Sequence, residues 1–254
     1  MLAARHRVGG VAPTVLTSAA ELLVASGHDP YVRGRLIRPG IEGWAGHDSV
    51  AWRFADTEPY LMTWGTPTSV ALLLEELLPE LRNGLPVNVP RGTAALLPAW
   101  VALGDQTDWD FRWTDVPPPE ERREDEVVDV TDDEVRALLA VANPDAAARP
   151  GDGRVRRWLG IRGGDGLVAC AADTTQATGV GHLSSIATHP DRRGEGLGAA
   201  VTAALSRRLL DEGCDLVTLG LYASNTAGRA LYDRLGMKDD HRFTSGKLQI
   251  RSRW

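Results

Sequence analysis

Short apolar runs alternate with stretches of helical periodicity through the second half of the chain. The apolar runs predict strands, and Leu197, Val201, Leu205 and Leu209 form one stripe of a predicted helix. Thr131, followed by acidic residues, predicts the start of another helix. The pattern predicts strands at 127–130, 156–162, 167–173, 180–188, 215–222 and 243–250, and helices at 132–142, 197–211 and 225–235. This order of elements predicts an α+β fold with a mixed central sheet.

The first half shows a similar but less regular alternation. It predicts strands at 49–54, 60–63, 85–89 and 109–113, and helices at 68–81 and 92–100. Six of the eight tryptophans lie in this half, where they suit core and interface packing. Consecutive prolines and a run of charges at 116–126 predict a linker between two domains, at 1–115 and 127–254.

Composition excludes several classes of function. The 254 residues are 43% apolar and 24% charged, as is ordinary for a globular protein, and the net charge is −6. An acidic chain is a poor match for nucleic acid or an anionic membrane, so we expect neither as a partner. We see no apolar run of membrane-helix length and no signal-peptide pattern, which favours a cytoplasmic location. Cys170 and Cys214 are too few for a disulfide scaffold, and we expect two buried free thiols and no metal site.

The sharpest chemical feature is the loop between the strand at 180–188 and the helix at 197–211. Glycines at 194, 196 and 198 permit positive φ and a close approach of the backbone to a ligand. Successive N–H groups can then point at an anion beside a helix N-terminus, and Arg192 and Arg193 add positive charge. The loop therefore predicts a phosphate or pyrophosphate cradle.

Known phosphate motifs fit this loop poorly. A P-loop requires a lysine after its last glycine, and this region has none. A dinucleotide fingerprint has the spacing G-x-G-x-x-G, whereas the spacing here is G-x-G-x-G. A Gly-rich turn of purely structural use remains an alternative.

The loop and a later helix together resemble the GCN5-related N-acetyltransferases (GNAT). Residues 193–198 (RGEGLG) are similar to the acyl-CoA motif [RQ]-x-x-G-x-[GA] of that family. Residues 225–237 (NTAGRALYDRLGM) are similar to its helix N-x-x-A-x-x-L-Y-x-x-x-G-[FM], with Gly228 where alanine is usual. The resemblance covers residues 127–250 and implies a GNAT fold there. The whole chain also looks like a group of actinobacterial acetyltransferases that carry an extra N-terminal half.

The resemblance implies a role for each matching position. The backbone of the strand end would hydrogen-bond the pantetheine arm of acetyl-CoA, and one of its N–H groups would polarise the thioester carbonyl. The amides of the loop would hold the pyrophosphate. The strand residues are Ile186, Ala187 and Thr188, and the loop residues are Arg193, Gly194, Glu195, Gly196, Leu197, Gly198 and Ala199. Asn225 would reach the pantetheine, and Tyr232 would stand near the sulfur and donate a proton to the leaving thiolate.

Each of these residues also has an ordinary structural interpretation. Asn225 can cap its helix, Tyr232 can be a core aromatic residue, and Arg193 can be a surface cation. The general base is less evident. Many family members have a glutamate early in the strand before the loop, whereas that place here is near Val180. His182, two residues on and on the same face, is our candidate base or water-positioning residue.

These observations predict an acetyl-CoA-dependent N-acetyltransferase in which a primary amine of a small molecule or peptide attacks the thioester directly. The alternative is a non-catalytic acyl-CoA-binding sensor or scaffold. The sequence leaves open whether the protein forms a homodimer. We further predict that residues 1–115 form a degenerate copy of the same fold that binds no second CoA, since its turn at 63–68 has one glycine and no arginine. An unrelated α+β domain is the rival interpretation.

Overall fold

The structure, a computed structural model, describes residues 12–55 and 59–251. In chain order its strands and helices are β1 (Thr14–Leu16), α1 (Ala19–Ala25), α2 (Pro30–Arg35), β2 (Ile41–Gly46), β3 (Ser49–Phe54), β4 (Leu61–Trp64), α3 (Pro67–Leu77), β5 (Pro86–Pro90), β6 (Val101–Thr114), β7 (Val128–Asp129), α4 (Asp132–Ala142), β8 (Arg157–Gly163), β9 (Gly166–Asp173), β10 (Val180–Thr188), α5 (Leu197–Asp211), β11 (Leu216–Tyr222), α6 (Thr226–Arg234) and β12 (Lys238–Ile250). No helix within the described residues is long and apolar enough to cross a membrane.

The chain divides into two units that do not coincide with its two halves. Of the described residues, unit 1 contains 12–32, 38–55, 59–107 and 243–251, and unit 2 contains 33–37 and 108–242. The long strands β6 and β12 therefore contribute residues to both units. The sequence analysis places the boundary at the linker at 116–126 instead. A strand whose residues belong to both units leaves no mark in composition, so this division could not be found from the sequence.

Unit 1 contains a sheet with the strand order β1-β2-β3-β4-β5-β12. Strands β4 and β5 are parallel and the other neighbours are antiparallel. Helix α3 connects the parallel pair, and its apolar residues Leu73 and Leu74 share a core cluster with Val87 of β5. Thr66 begins this helix by accepting a hydrogen bond from the N–H of Ser69 at 3.1 Å.

Unit 2 contains a sheet with the strand order β6-β11-β10-β9-β8-β7. Strands β10 and β11 are parallel, α5 connects them, and the other neighbours are antiparallel. The predicted mixed sheet is confirmed. Leu205 and Leu209 of α5 are fully buried against the sheet, as their spacing predicts. Thr131 and Glu134 form a capping box at the start of α4.

Several elements differ from the sequence prediction. The helix predicted at 92–100 is a short 3₁₀ turn at Thr93–Leu96, and β12 begins at Lys238 rather than at residue 243. The early part of β12 is rich in exposed charged residues, so a search for apolar runs does not detect it as a strand. The pattern does not predict β1, α1, α2 or β2, which are short and partly exposed.

The two cysteines are free thiols in different surroundings. Cys170 is buried in β9, and this burial raises the pKa of its thiol to about 12. A thiol that stays protonated is a poor nucleophile, so Cys170 acts as a small core residue. Cys214 is half-buried, less than the sequence predicts.

A fully buried arginine joins three elements of unit 2. The guanidinium of Arg112 on β6 lies 2.6 Å from Asp233 on α6 and 3.1 Å from Asp239 on β12. The arginine side chain has no exposed surface, whereas those carboxylates are 55% and 23% exposed. The cation therefore depends on both carboxylates, while each carboxylate retains contact with water.

We expect an asymmetry when this cluster is disrupted. Arg112→Met should change the free energy of unfolding by less than about 2 kcal/mol, because the exposed carboxylates can be hydrated. The double variant Asp233→Ala/Asp239→Ala should lower it by about 3–5 kcal/mol, because a buried cation loses its partners. Urea denaturation of the three proteins measures both values. A larger loss in Arg112→Met than in the double variant would contradict this account.

Candidate functional site

The two parallel strands of unit 2 separate towards their C-terminal ends. Residue pairing between β10 and β11 runs from Val180↔Leu216 to Leu183↔Leu219 and then stops. Both strands continue beyond that point, β10 to Thr188 and β11 to Tyr222. The predicted divergence of these strands is confirmed. It leaves a groove between them, lined by backbone that is not used for pairing with the opposite strand.

A β-bulge on β10 accompanies this divergence. The register with β9 shifts between Ser184 and Ala187, and Ser185 has a φ of 49°. Such a conformation is uncommon for a residue other than glycine. The Ser185 hydroxyl both donates to the carbonyl of Ala148 and accepts from its N–H, each at 2.8 Å. These bonds hold the bulge against Ala148, a buried residue in the segment that follows α4.

The loop after β10 has the predicted backbone freedom at two of its three glycines. Gly194 and Gly196 have φ values of 83° and 81°, and Gly196 is the N-cap of α5. Gly198 does not have a positive φ, which corrects that part of the sequence interpretation. A Cβ at Gly198 would lie 3.3 Å from both Thr188 and Leu231. Gly198 therefore permits β10 and α6 to approach the first turn of α5.

This loop presents free hydrogen-bond donors. Among the described residues, no partner is found for the backbone N–H groups of 194–199. Three of them belong to the first turn of α5, where the helix offers no internal acceptor and its dipole is positive. Donors grouped in this way are suited to binding an anion.

The arginines around the loop have different roles. Arg192 binds the Glu195 carboxylate through Nε at 2.6 Å and a second nitrogen at 2.8 Å, and Arg123 reaches the same carboxylate at 3.2 Å. The hydrogen bonds from Arg192 lower the pKa of Glu195. Arg193 is exposed, and its guanidinium has no partner among the described residues, whereas its backbone N–H donates to the carbonyl of Pro190 at 3.4 Å. Arg193 is therefore the cation available to a ligand in this loop.

Asn225 is the N-cap of α6 and accepts a hydrogen bond from the N–H of Gly228 at 2.9 Å. A Cβ at Gly228 would lie only 2.7 Å from the Asn225 side-chain nitrogen. Glycine in place of the usual alanine thus leaves room for this capping conformation. The capping interpretation is confirmed. To contact a ligand, the Asn225 side chain would have to leave this capping conformation.

Tyr232 lies on α6 in the core cluster that contains Leu197 and Ala199 of α5 and Leu221 of β11. Ile186 of β10 packs against the same cluster, so the structure brings these predicted site residues together. Burial raises the pKa of the Tyr232 hydroxyl to about 12. The hydroxyl has no hydrogen-bond partner among the described residues and is not sealed from solvent.

His182 lies on the opposite face of the sheet from Tyr232. The neighbouring Gly181 faces Leu209 of α5, and side chains alternate along a strand. The His182 ring Nδ1 lies 2.8 Å from the hydroxyl of Thr218 on β11. Burial and, next, the positive charge of Arg35 lower the pKa of His182 to about 3. His182 is therefore uncharged at neutral pH.

Sequence reasoning missed two residues of this site. A serine inside a predicted strand gives no sign that Ser185 adopts a left-handed backbone. Thr218 becomes relevant only through the register that places it beside His182. Gly228 is detectable from the sequence, because it departs from the family pattern three residues after Asn225.

A family model matches part of this chain, and solved structures of similar fold extend over most of it. Residues 158–244 match the model of the family described as FR47-like protein. A Drosophila protein is 16% identical, with 96% of this chain and 100% of that chain covered at a TM-score of 0.62. A GCN5-related N-acetyltransferase from Kribbella flavida is 19% identical, with coverage of 90% and 95% and a TM-score of 0.52. A GNAT-family acetyltransferase from Colwellia psychrerythraea is 11% identical, with coverage of 93% and 99% and a TM-score of 0.52. No curated protein matches the chain.

At these identities the structural likeness establishes the fold. The chain has the α+β fold of the GCN5-related N-acetyltransferases, and the resemblance inferred from its two motifs is confirmed. The likeness to an actinobacterial group stays a prediction.

The hydrogen bonds of Ser185 predict a measurable contribution to stability. Ser185→Ala should lower the free energy of unfolding by about 2–3 kcal/mol, since it loses both bonds and keeps an unfavourable φ. Ser185→Gly should cost less, because glycine tolerates the φ. Ser184→Ala is the matched control and should have little effect. Urea denaturation gives these values, and equal stability of Ser185→Ala and Ser184→Ala would contradict the assignment.

Proposed function

We propose that this chain is an acetyl-CoA-dependent N-acetyltransferase that acts on a primary amine of a small molecule or peptide. The observation that carries the proposal is the groove between β10 and β11, which opens beside a loop of free amides. A pantetheine arm is an extended chain with amide groups, and an extended chain can pair with strand backbone. A pyrophosphate carries the charge that the amides and Arg193 would bind.

In this proposal the backbone of Ile186, Ala187 and Thr188 binds the pantetheine. The amides of Gly194, Glu195, Gly196, Leu197, Gly198 and Ala199 bind the pyrophosphate, and Arg193 contributes its side chain, because its own amide already donates to Pro190. Ala187 and Thr188 already pair with β9 on one side, which leaves their other side for the ligand. Asn225 contributes by fixing the start of α6.

The chemistry then requires stabilisation of two charges. The amine nitrogen attacks the thioester carbon, and a backbone N–H on β10 stabilises the oxyanion; loss of such a donor typically costs about 10²–10³ in rate. The C–S bond breaks next, and the proton lost by the nitrogen balances the one taken up by the thiolate. With its raised pKa, Tyr232 stays protonated and stabilises the thiolate by hydrogen bonding more than by proton transfer. His182, on the other face of the sheet, would contact the incoming amine or position a water molecule for it.

A second function, acyl-CoA binding without catalysis, is favoured by the low pKa of His182. A group that is protonated only near pH 3 is a weak base at neutral pH. Measurement of CoA release with a panel of amines separates the two functions, because a sensor would bind acetyl-CoA and release none.

We also propose that unit 1 is a degenerate copy of the fold. Like unit 2, it has antiparallel strands followed by a parallel pair that a helix connects. Its turn before α3 is closed: Thr66 caps the helix, and a Cβ at Gly65 would lie 2.6 Å from Ser49. Pro67 removes a further N–H donor. Titration calorimetry should therefore give one acetyl-CoA per chain, and two per chain would exclude the degenerate copy as stated.

The pyrophosphate assignment predicts a difference between two glycines at opposite ends of α5. Gly196 and Gly213 both have positive φ and open space around a Cβ. Gly196→Val and Gly213→Val should therefore destabilise the fold to a similar extent. Only Gly196→Val should abolish acetyl-CoA binding, because its side chain would occupy the anion site. Equal affinity of the two variants in calorimetry would contradict the assignment.

The role of Tyr232 predicts a separation of turnover from binding. Tyr232→Phe should lower kcat by about 10-fold or more with little change in acetyl-CoA affinity. Tyr60→Phe is the control, because Tyr60 is exposed and belongs to unit 1, for which we propose no acetyl-CoA site. Steady-state kinetics and calorimetry make the comparison. Unchanged turnover in Tyr232→Phe would return Tyr232 to a packing role.

A further inference from the structure

Helix α6, which carries Tyr232, has little apolar packing of its own. Within Thr226–Arg234, all of which the structure describes, only Tyr232 is buried, and Leu231 is partly buried against the same core cluster. The Tyr232 hydroxyl has no hydrogen-bond partner among the described residues. The position of this hydroxyl therefore depends on what holds the helix, because no hydrogen bond of its own fixes it.

Two ion pairs hold α6 against β6, one before and one after Tyr232 in the chain. Arg229 lies 2.6 Å from Asp110, and Asp233 lies 2.6 Å from Arg112. The side chains on the strand are fully buried, whereas those on the helix are 28% and 55% exposed. A buried charge is stable only with its partner, so the two strand residues constrain where the helix can lie.

The spacing of these pairs matches a strand to a helix. Asp110 and Arg112 are two residues apart, so they share a face of the strand, roughly 6.6 Å from each other. Arg229 and Asp233 are four residues apart, so they share a face of the helix, roughly 6 Å apart along its axis. Because the two intervals agree, both ion pairs form at the same time.

The order of the charges also opposes a displaced helix. The strand presents a carboxylate and then a guanidinium, and the helix presents the complementary order. A shift of α6 by one turn would bring Asp233 to Asp110 in one direction, or Arg229 to Arg112 in the other. Either shift places like charges together at a buried residue, which is strongly unfavourable. The charge order therefore specifies one register of the helix.

Arg112 also contacts the chain just beyond the helix. Its Nη1 lies 3.5 Å from the carbonyl of Met237, and its Nη2 lies 3.1 Å from Asp239 on β12. The N–H of Met237 in turn donates to the carbonyl of Tyr232 at 3.0 Å. One guanidinium therefore contacts both α6 and the turn that is bonded to the backbone of Tyr232.

We propose that Arg112 is a positioning residue for acetyl transfer: together with Asp110, it fixes the register of α6 and thereby the place of the Tyr232 hydroxyl beside the leaving thiolate. The inference rests on the proposed function, in which Tyr232 stabilises that thiolate. Arg112 itself touches no reacting atom, and no proton passes through it. A misplacement of about 1 Å can cost about 10²-fold in rate, so the register of the helix matters for turnover.

A double-mutant cycle with Tyr232 tests this role. Arg112→Met removes the cation and should lower kcat by about 10-fold, as Tyr232→Phe does, with acetyl-CoA affinity unchanged in calorimetry. In the Tyr232→Phe background the same change should have little further effect on kcat, because the hydroxyl that Arg112 positions is already absent. Arg112→Lys keeps the cation and should retain more turnover than Arg112→Met.

Arg157→Met is the control, because Arg157 also binds two carboxylates but neither is on α6. Its guanidinium lies 2.8 Å from Glu212 and 3.3 Å from Asp173. This variant should leave kcat unchanged. Asp233→Asn removes the charge at the exposed end of the Arg112 pair and keeps its size, so it gives the same cycle if Arg112→Met does not fold.

The outcomes separate this inference from the proposed function. Wild-type kcat in Arg112→Met and Asp233→Asn overturns the inference, as does wild-type kcat in Tyr232→Phe. An equal fold-loss with and without the Tyr232 hydroxyl overturns it too, because Arg112 would then act independently of Tyr232. In each case acetyl transfer still stands if the wild type releases CoA. No CoA release from the wild type with any amine, although acetyl-CoA binds, overturns the proposed function and the inference together.

Discussion

The interruption of pairing between two parallel strands is the constraint on which the rest of unit 2 depends. Each strand loses backbone hydrogen bonds where β10 and β11 separate, and unpaired backbone groups are costly unless something binds them. The left-handed Ser185, held by Ala148, lies just beyond the last paired residue of β10. The loop glycines and the first turn of α5 come directly after β10, so the unpaired strand backbone and the free amides of 194–199 belong to consecutive segments.

The two units show how small changes decide whether such a site exists. Both contain a parallel pair connected by a helix. In unit 2 that helix begins at Gly196 without a side-chain cap and leaves its first amides free. In unit 1 it begins at Thr66, whose hydroxyl takes one amide, and Pro67 removes another. The same architecture therefore presents free amides in one unit and a capped turn in the other.

The site residues that sequence reasoning found are those with local signals. The bounds of β10 and α5 follow from apolar runs, the position of Pro190 and the glycine spacing. The long-range features were not accessible in this way. The partner of Ser185 lies 37 residues earlier in the chain, and the register that joins Thr218 to His182 depends on sheet assembly. Gly198 shows a related limit, because the sequence gives a glycine without saying whether φ or close packing requires it.

Hydrogen–deuterium exchange with and without acetyl-CoA tests the central claim most directly, because it reads the backbone groups that the groove leaves unpaired. The account predicts slower exchange at 186–188 and 194–199 in the presence of acetyl-CoA, and unchanged exchange in the turn at 63–69. Protection confined to other segments, or no protection at saturating acetyl-CoA, would contradict it.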